Sequence, residues 1–157
     1  MKYARLTKEQ FEALQEEFTR FLATQKITAE EWTKLKAEKP EVAEAELDIF
    51  SDLVWEGALK AAQYLENAST DQLFSFAMLD THMELIYVKV TNSEVDLTTT
   101  AGRSWLLENL RHESVAIKTG SKSFSPHRNT DKFQLVQQGS SIVDGKFHAA
   151  LNDLIKP

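Results

Sequence analysis

Apolar positions recur every three to four residues through the first 66 positions of the chain, then alternate every second residue from about residue 70. The first regime predicts three helices. Thr7 with Gln10 three residues on has the form of a capping box, and Phe11, Leu14, Phe18, Phe21 and Leu22 follow at helical spacing. Thr28 with Glu31 repeats the signature ahead of Trp32 and Leu35, and Pro40 closes that helix and opens the next. The third helix is predicted over Glu41–Glu66, with Val42, Leu47, Phe50, Leu53, Val54, Leu59 and Leu65 as its stripe. Gly57 inside it implies close packing there, because glycine otherwise costs a helix ~1 kcal/mol relative to alanine.

The second regime predicts a sheet. Leu73–Leu79 and Met83–Val90 read as an antiparallel pair joined at Asp80-Thr81-His82, with large apolar groups on both faces. A short strand near Val95–Leu97, a helix capped by Thr100 and carrying Trp105, Leu106, Leu107 and Leu110, and a strand over Ser114–Lys118 come next. That order implies a right-handed crossover. Asp131–Gln138 reads as helix rather than strand because Gly139 suits the position after a helix end. A last helix starts at Asp144 with Phe147, Leu151, Leu154 and Ile155 on one face. The expected fold is α+β: three N-terminal helices packed on a small mixed β-sheet, with further C-terminal helices. The chain is expected to form one domain over residues 1–157, with a helical half (1–68) and a sheet-containing half (69–157).

Composition narrows the chemistry. Cysteine is absent, which excludes disulfides, thiolate metal sites and thiol nucleophiles. No apolar run approaches the ~18–20 residues of a membrane helix, and no apolar stretch follows Lys2 and Arg5 as in an export signal. A cytoplasmic protein without a membrane partner is expected. The net charge is −6, and residues 1–70 carry 14 Asp/Glu against 9 Lys/Arg. Such an acidic half repels nucleic acid at long range and suits a protein partner.

The opening Lys2-Tyr3-Ala4-Arg5-Leu6-Thr7, the block Phe50-Ser51-Asp52-Leu53-Val54-Trp55-Glu56 and the later Thr119-Gly120-Ser121-Lys122 resemble a family of small bacterial proteins of unknown function. The resemblance runs over the whole chain and implies a bacterial cytoplasmic protein. It supplies no activity and no catalytic residue.

Short motifs add little. Lys118-Thr119-Gly120 matches one element of the serine β-lactamases, but the Ser-x-x-Lys and Ser-Asp-Asn elements are missing. Gly120-Ser121-Lys122-Ser123 lacks the glycine before the lysine that a phosphate loop needs, and Pro126 interrupts any following helix. The element order is that of many restriction-type nucleases, yet Lys89 has no acid two residues before it. Asp80, His82 and Glu84 alternate as metal ligands or proton carriers could, and equally as an ordinary polar turn does. Glu108 and His112 fit a helix end, while His127 and His148 have no evident partner in sequence.

One segment breaks the acidic trend. Lys118, Lys122, Arg128 and Lys132 against Asp131 give a local charge of +3, interleaved with Ser121, Ser123 and Ser125. Lys118, Ser121, Lys122, Arg128 and Lys132 are therefore the candidate anion-binding residues, on a loop able to meet a phosphate or an RNA backbone. The bland alternative is a solvated connection. The sequence points to no catalytic residue, metal set or cofactor. The expected function is a non-enzymatic protein-interaction or regulatory module; the alternatives are an anion- or RNA-backbone-binding protein using this loop, or a hydrolase without a recognisable motif.

Overall fold

Thr7 and Gln10 cap each other as their spacing predicts: the Thr7 hydroxyl accepts the Gln10 N–H (3.2 Å) and Gln10 Oε1 accepts the Thr7 N–H (2.8 Å). The computed structural model describes residues 1–156. The chain divides into two compact units, Met1–Lys60 and Ala61 onward.

In the first unit the helix expected behind Thr7 is two: α1 (Lys8–Ala13) and α2 (Gln15–Thr24), separated at Leu14 with φ −107° and ψ 25°. α3 (Ala29–Glu38) is capped by Thr28 as expected, and α4 starts at Pro40 and runs to Ala61. Leu6, Phe21, Leu22 and Phe50 form the buried core, with Phe11, Phe18 and Trp32 packed on it. Phe18 meets the edges of Trp32 and Phe50 at centroid distances of 5.2 and 5.0 Å. The N-terminal arm is tied to α4, since Asp52 accepts the Lys2 and Tyr3 N–H groups and Ser51 Oγ accepts that of Leu6. Gly57 does not mark close packing: a Cβ there would meet nothing within 4 Å.

The second unit begins at Ala61, eight residues before the sheet-containing half expected from residue 69. α4 ends at Ala61, and residues 64–66, read as the end of the third helix, belong instead to strand β1 (Tyr64–Ala68). β2 (Gln72–Met78) and β3 (His82–Val90) are the expected hairpin. Val95–Leu97 is not a strand but a connection whose Val95 and Leu97 are buried. α5 (Thr100–Glu108) follows, capped by Thr99 rather than Thr100. β4 runs over Val115–Ser123, five residues past its predicted end, and α6 is Arg128–Gln137 with Gly139 at φ 110° just beyond. β5 (Ser141–Val143) and α7 (Lys146–Ile155) complete the chain; Gly145, not Asp144, is the α7 N-cap.

The α+β class holds, but the sheet is not mixed. Its order is β4-β3-β2-β1-β5 and every neighbouring pair is antiparallel. β4 returns antiparallel beside β3 after α5, so the crossover expected there does not arise.

Register sorts the side chains into two faces. One carries Leu73, Ile86, Val88 and Val90, buried with Leu106 of α5 and Leu151 of α7. Each such side chain contributes roughly 1.5–3 kcal/mol on burial. The other face carries three cross-strand rows: Phe74–Tyr87–Lys118, Phe76–Leu85–Gly120 and Met78–Met83–Lys122. The middle row ends on a residue without a side chain.

Candidate functional site

A cavity of about 540 Å³ lies between this second face and α6. Phe76, Met83, Leu85, Phe124 and Leu135 make its apolar part. Lys122, Asp131, Gln134 and Gln138 supply polar groups, and Ser121, Ser123 and Ser125 border it. Gly120 is the opening in the wall. A Cβ at Gly120 would meet nothing within 4 Å, so no neighbouring group packs against the strand there.

Asp131 and Lys122 are not equivalent charges. The Asp131 carboxylate is occupied, accepting the Ser125 N–H at 2.7 Å and the Ser125 hydroxyl at 2.8 Å. Lys122 is exposed and makes no ion pair among the described residues. The site therefore offers an apolar volume with one uncommitted cation at its edge. A cavity of this size and lining is typical of small-molecule sites.

The five candidate anion-binding residues do not form one surface. Ser121 and Lys122 border the cavity. Lys118 lies on the same face of β4 but in the row beyond Gly120. The Arg128 guanidinium donates to the Asp80 carbonyl (2.6 Å) and stacks on Phe124, 4.4 Å from the ring centre. Lys132 is 1% exposed, with Nζ donating to the Ala62 carbonyl at 2.7 Å. Burial, with Arg128 nearby, pushes its ammonium below the usual lysine range. The helical period of α6 turns Lys132 inward beside Phe133, so it serves the fold rather than a ligand. What reads as one polar loop is the end of a strand, a four-residue connection and the start of a helix.

The other polar positions separate too. His82 Nε2 lies 3.3 Å from Glu84 Oε1, while Asp80 offers its main-chain carbonyl to Arg128. His112 pairs with Ser114 and packs on Trp105.

A second cavity, about 270 Å³, was not legible in the sequence. It brings Ser75 on β2 to within 2.8 Å of His148 Nδ1 on α7, beside Glu66 and Arg103. Arg103 grips Glu66 through both terminal nitrogens at 3.0 and 2.6 Å and donates Nε–H to the Leu97 carbonyl at 2.9 Å. Ser75 and His148 are a nucleophile beside a base, but they are only 2% and 5% exposed. Their bond satisfies two polar groups that burial would otherwise penalise. Seventy-three residues separate them, so no local motif could announce the pair.

His148 carries a pH prediction. Burial lowers its pKa from 6.5, partly opposed by the negative charge of Glu84; the Glu66–Arg103 pair and Asp144 line the same cavity. The unfolded chain therefore takes up the proton first as pH falls. The stability contribution is complete above pH 6.5 and is lost as pH drops toward the folded value. Urea midpoints at pH 7.5 and 5.0 should fall further for the wild type than for His148→Gln; parallel losses would refute the assignment.

No described helix is long and apolar enough to cross a membrane. A family model described as a family of unknown function (DUF6495) matches residues 1–156. No curated protein and no solved structure gives a match.

Proposed function

This chain belongs to DUF6495, a family of unknown function, and we propose that it is a non-enzymatic regulatory module of the bacterial cytoplasm that binds a small amphiphilic anion. The observation that carries this reading is the conjunction of an apolar cavity, the Gly120 opening and Lys122 at the edge. The ligand class is a molecule with an apolar body and one carboxylate or phosphate group. The body takes the volume over Phe76, Met83, Leu85 and Leu135, and the anion meets Lys122. A single anionic group fits better than an RNA backbone. Arg128 and Lys132 are engaged inside the protein, which leaves only Lys118 and Lys122 to face a run of phosphates.

Decanoate serves as the probe and inorganic phosphate as the head-group control. Calorimetric titration at low salt should show saturable decanoate binding and far weaker phosphate binding, because phosphate lacks the apolar term. Lys122→Ala should weaken decanoate about tenfold, the lower end for a charge-assisted hydrogen bond at an exposed site. Gly120→Phe should abolish binding, since a Cβ there meets nothing within 4 Å and the ring competes for the volume of the apolar body. Equal decanoate affinity in wild type and Gly120→Phe, or no saturable binding at all, would remove the proposal.

A further inference from the structure

We infer that the free edge of β4 docks an extended acidic peptide, which adds a sixth strand to the sheet. This inference does not depend on the cavity reading. β4 is the outermost strand on its side of the sheet, and residues 118–123 are all exposed. Hydrogen bonding at its two ends fixes which main-chain groups are free. Thr91 N–H donates to the Ser114 carbonyl and Phe124 N–H to the Thr81 carbonyl, and the β3–β4 register is unbroken between them. In an antiparallel pair, bonds to a given neighbour come from every second residue. The even-numbered residues of β4 therefore bond to β3. Ile117, Thr119, Ser121 and Ser123 turn their N–H and C=O groups outward.

Such a row is a template for strand addition, where main-chain bonds supply affinity and alternate side chains supply selectivity. The selectivity here is electrostatic. Lys118 and Lys122 project from one face of the edge, with Gly120 between them. An incoming strand meets them with the side chains opposite, so acids at positions i and i+4 are favoured and basic residues are repelled. A second copy of this chain is the poorer occupant, because pairing β4 with itself brings four lysines to one seam.

The probe is a blocked peptide, Thr-Glu-Thr-Val-Thr-Glu-Thr, whose glutamates fall opposite Lys118 and Lys122 when valine faces Gly120. Continuing the antiparallel order, the threonines on either side of valine bond to Thr119 and Ser121. N-methylation of those two amides should abolish binding to the wild-type protein, while N-methylation at valine should leave it intact. Lys118→Glu should weaken the peptide at least tenfold and leave decanoate titration unchanged, which separates this proposal from the cavity reading. A peptide with lysine in place of the second glutamate alone, the one opposite Lys118, should recover binding to Lys118→Glu. Thr119→Pro removes an outward N–H that no intrachain bond uses, and it should block the peptide while the fold survives. No binding of the unmethylated peptide, or equal binding of both methylated forms, would overturn the inference. So would sedimentation showing a dimer that Thr119→Pro dissolves, since the edge would then belong to a second copy.

Discussion

Replacing Arg103 with methionine should cost about 3 kcal/mol and lower the thermal midpoint by about 6–12 °C. The guanidinium holds the Glu66 carboxylate bidentately, donates to the Leu97 carbonyl and lies over the Phe147 ring at 5.0 Å. The pair is largely enclosed, with side-chain exposures of 22% for Arg103 and 17% for Glu66. Loss of the arginine leaves a carboxylate in a polar cavity without its counter-charge, and that penalty exceeds the net value of the intact pair. The remaining exposure is why we take the low end of the range for a buried pair. A double variant, Arg103→Met with Glu66→Leu, removes the orphaned charge and should recover most of the loss. Chemical denaturation of all four proteins gives the coupling energy. A single-variant loss below about 0.5 kcal/mol would mean that the carboxylate finds water there and that the pair behaves as an exposed one.

Two glycines in helices should respond to alanine in opposite directions. A Cβ at Gly102 in α5 would fall inside contact distance of the Asp96 main-chain carbonyl. That carbonyl is fixed by the Thr99 hydroxyl at 2.7 Å, and the Thr99 hydroxyl in turn accepts the Gly102 N–H at 2.9 Å. The neighbour is backbone inside a closed cap, so it has no rotamer to yield. Gly102→Ala should cost about 2–3 kcal/mol despite the gain in helix propensity. Gly57→Ala in α4 meets open space and should stabilise by about 0.5–1 kcal/mol. Urea midpoints that rise for both variants would show that propensity, not contact, governs Gly102.

Those two glycines show where sequence reading reaches its limit. Both sit in helical patterns, and only the neighbouring chain distinguishes them. Capping signals were legible because they are local: Thr7 with Gln10, Thr28 with Glu31 and Gly139 after α6 are each settled within four residues. The break at Leu14 was not legible, since Ala13-Leu14-Gln15 contains no glycine, proline or capping side chain. Neither was the end of α4. Ala61-Ala62-Gln63 are helix formers, and Tyr64–Ala68 becomes a strand because β2 and β5 pair with it from either side. Tertiary pairing outweighed local propensity there.

The candidate site was half visible. Lys122 stood out by charge against an acidic background and Ser121 as a hydroxyl interleaved with the basic residues, and both border the cavity. The outer half of β4 read as a loop because it is exposed on both faces, so Lys118–Ser123 carries no alternation of apolar and polar residues. The apolar part of the cavity was hidden for the opposite reason. Phe76, Leu85 and Leu135 read as core, and nothing in one sequence says that α6 leaves space over them.

Chemical-shift mapping tests the central claim most directly. Amide spectra of the isotope-labelled full chain are recorded with and without decanoate. The account predicts the largest shifts at Gly120, Lys122, Phe124, Gln134, Leu135 and Gln138, with Glu66, Ser75, Arg103 and His148 little changed. Shifts confined to the second group, or none at saturating decanoate, would contradict it.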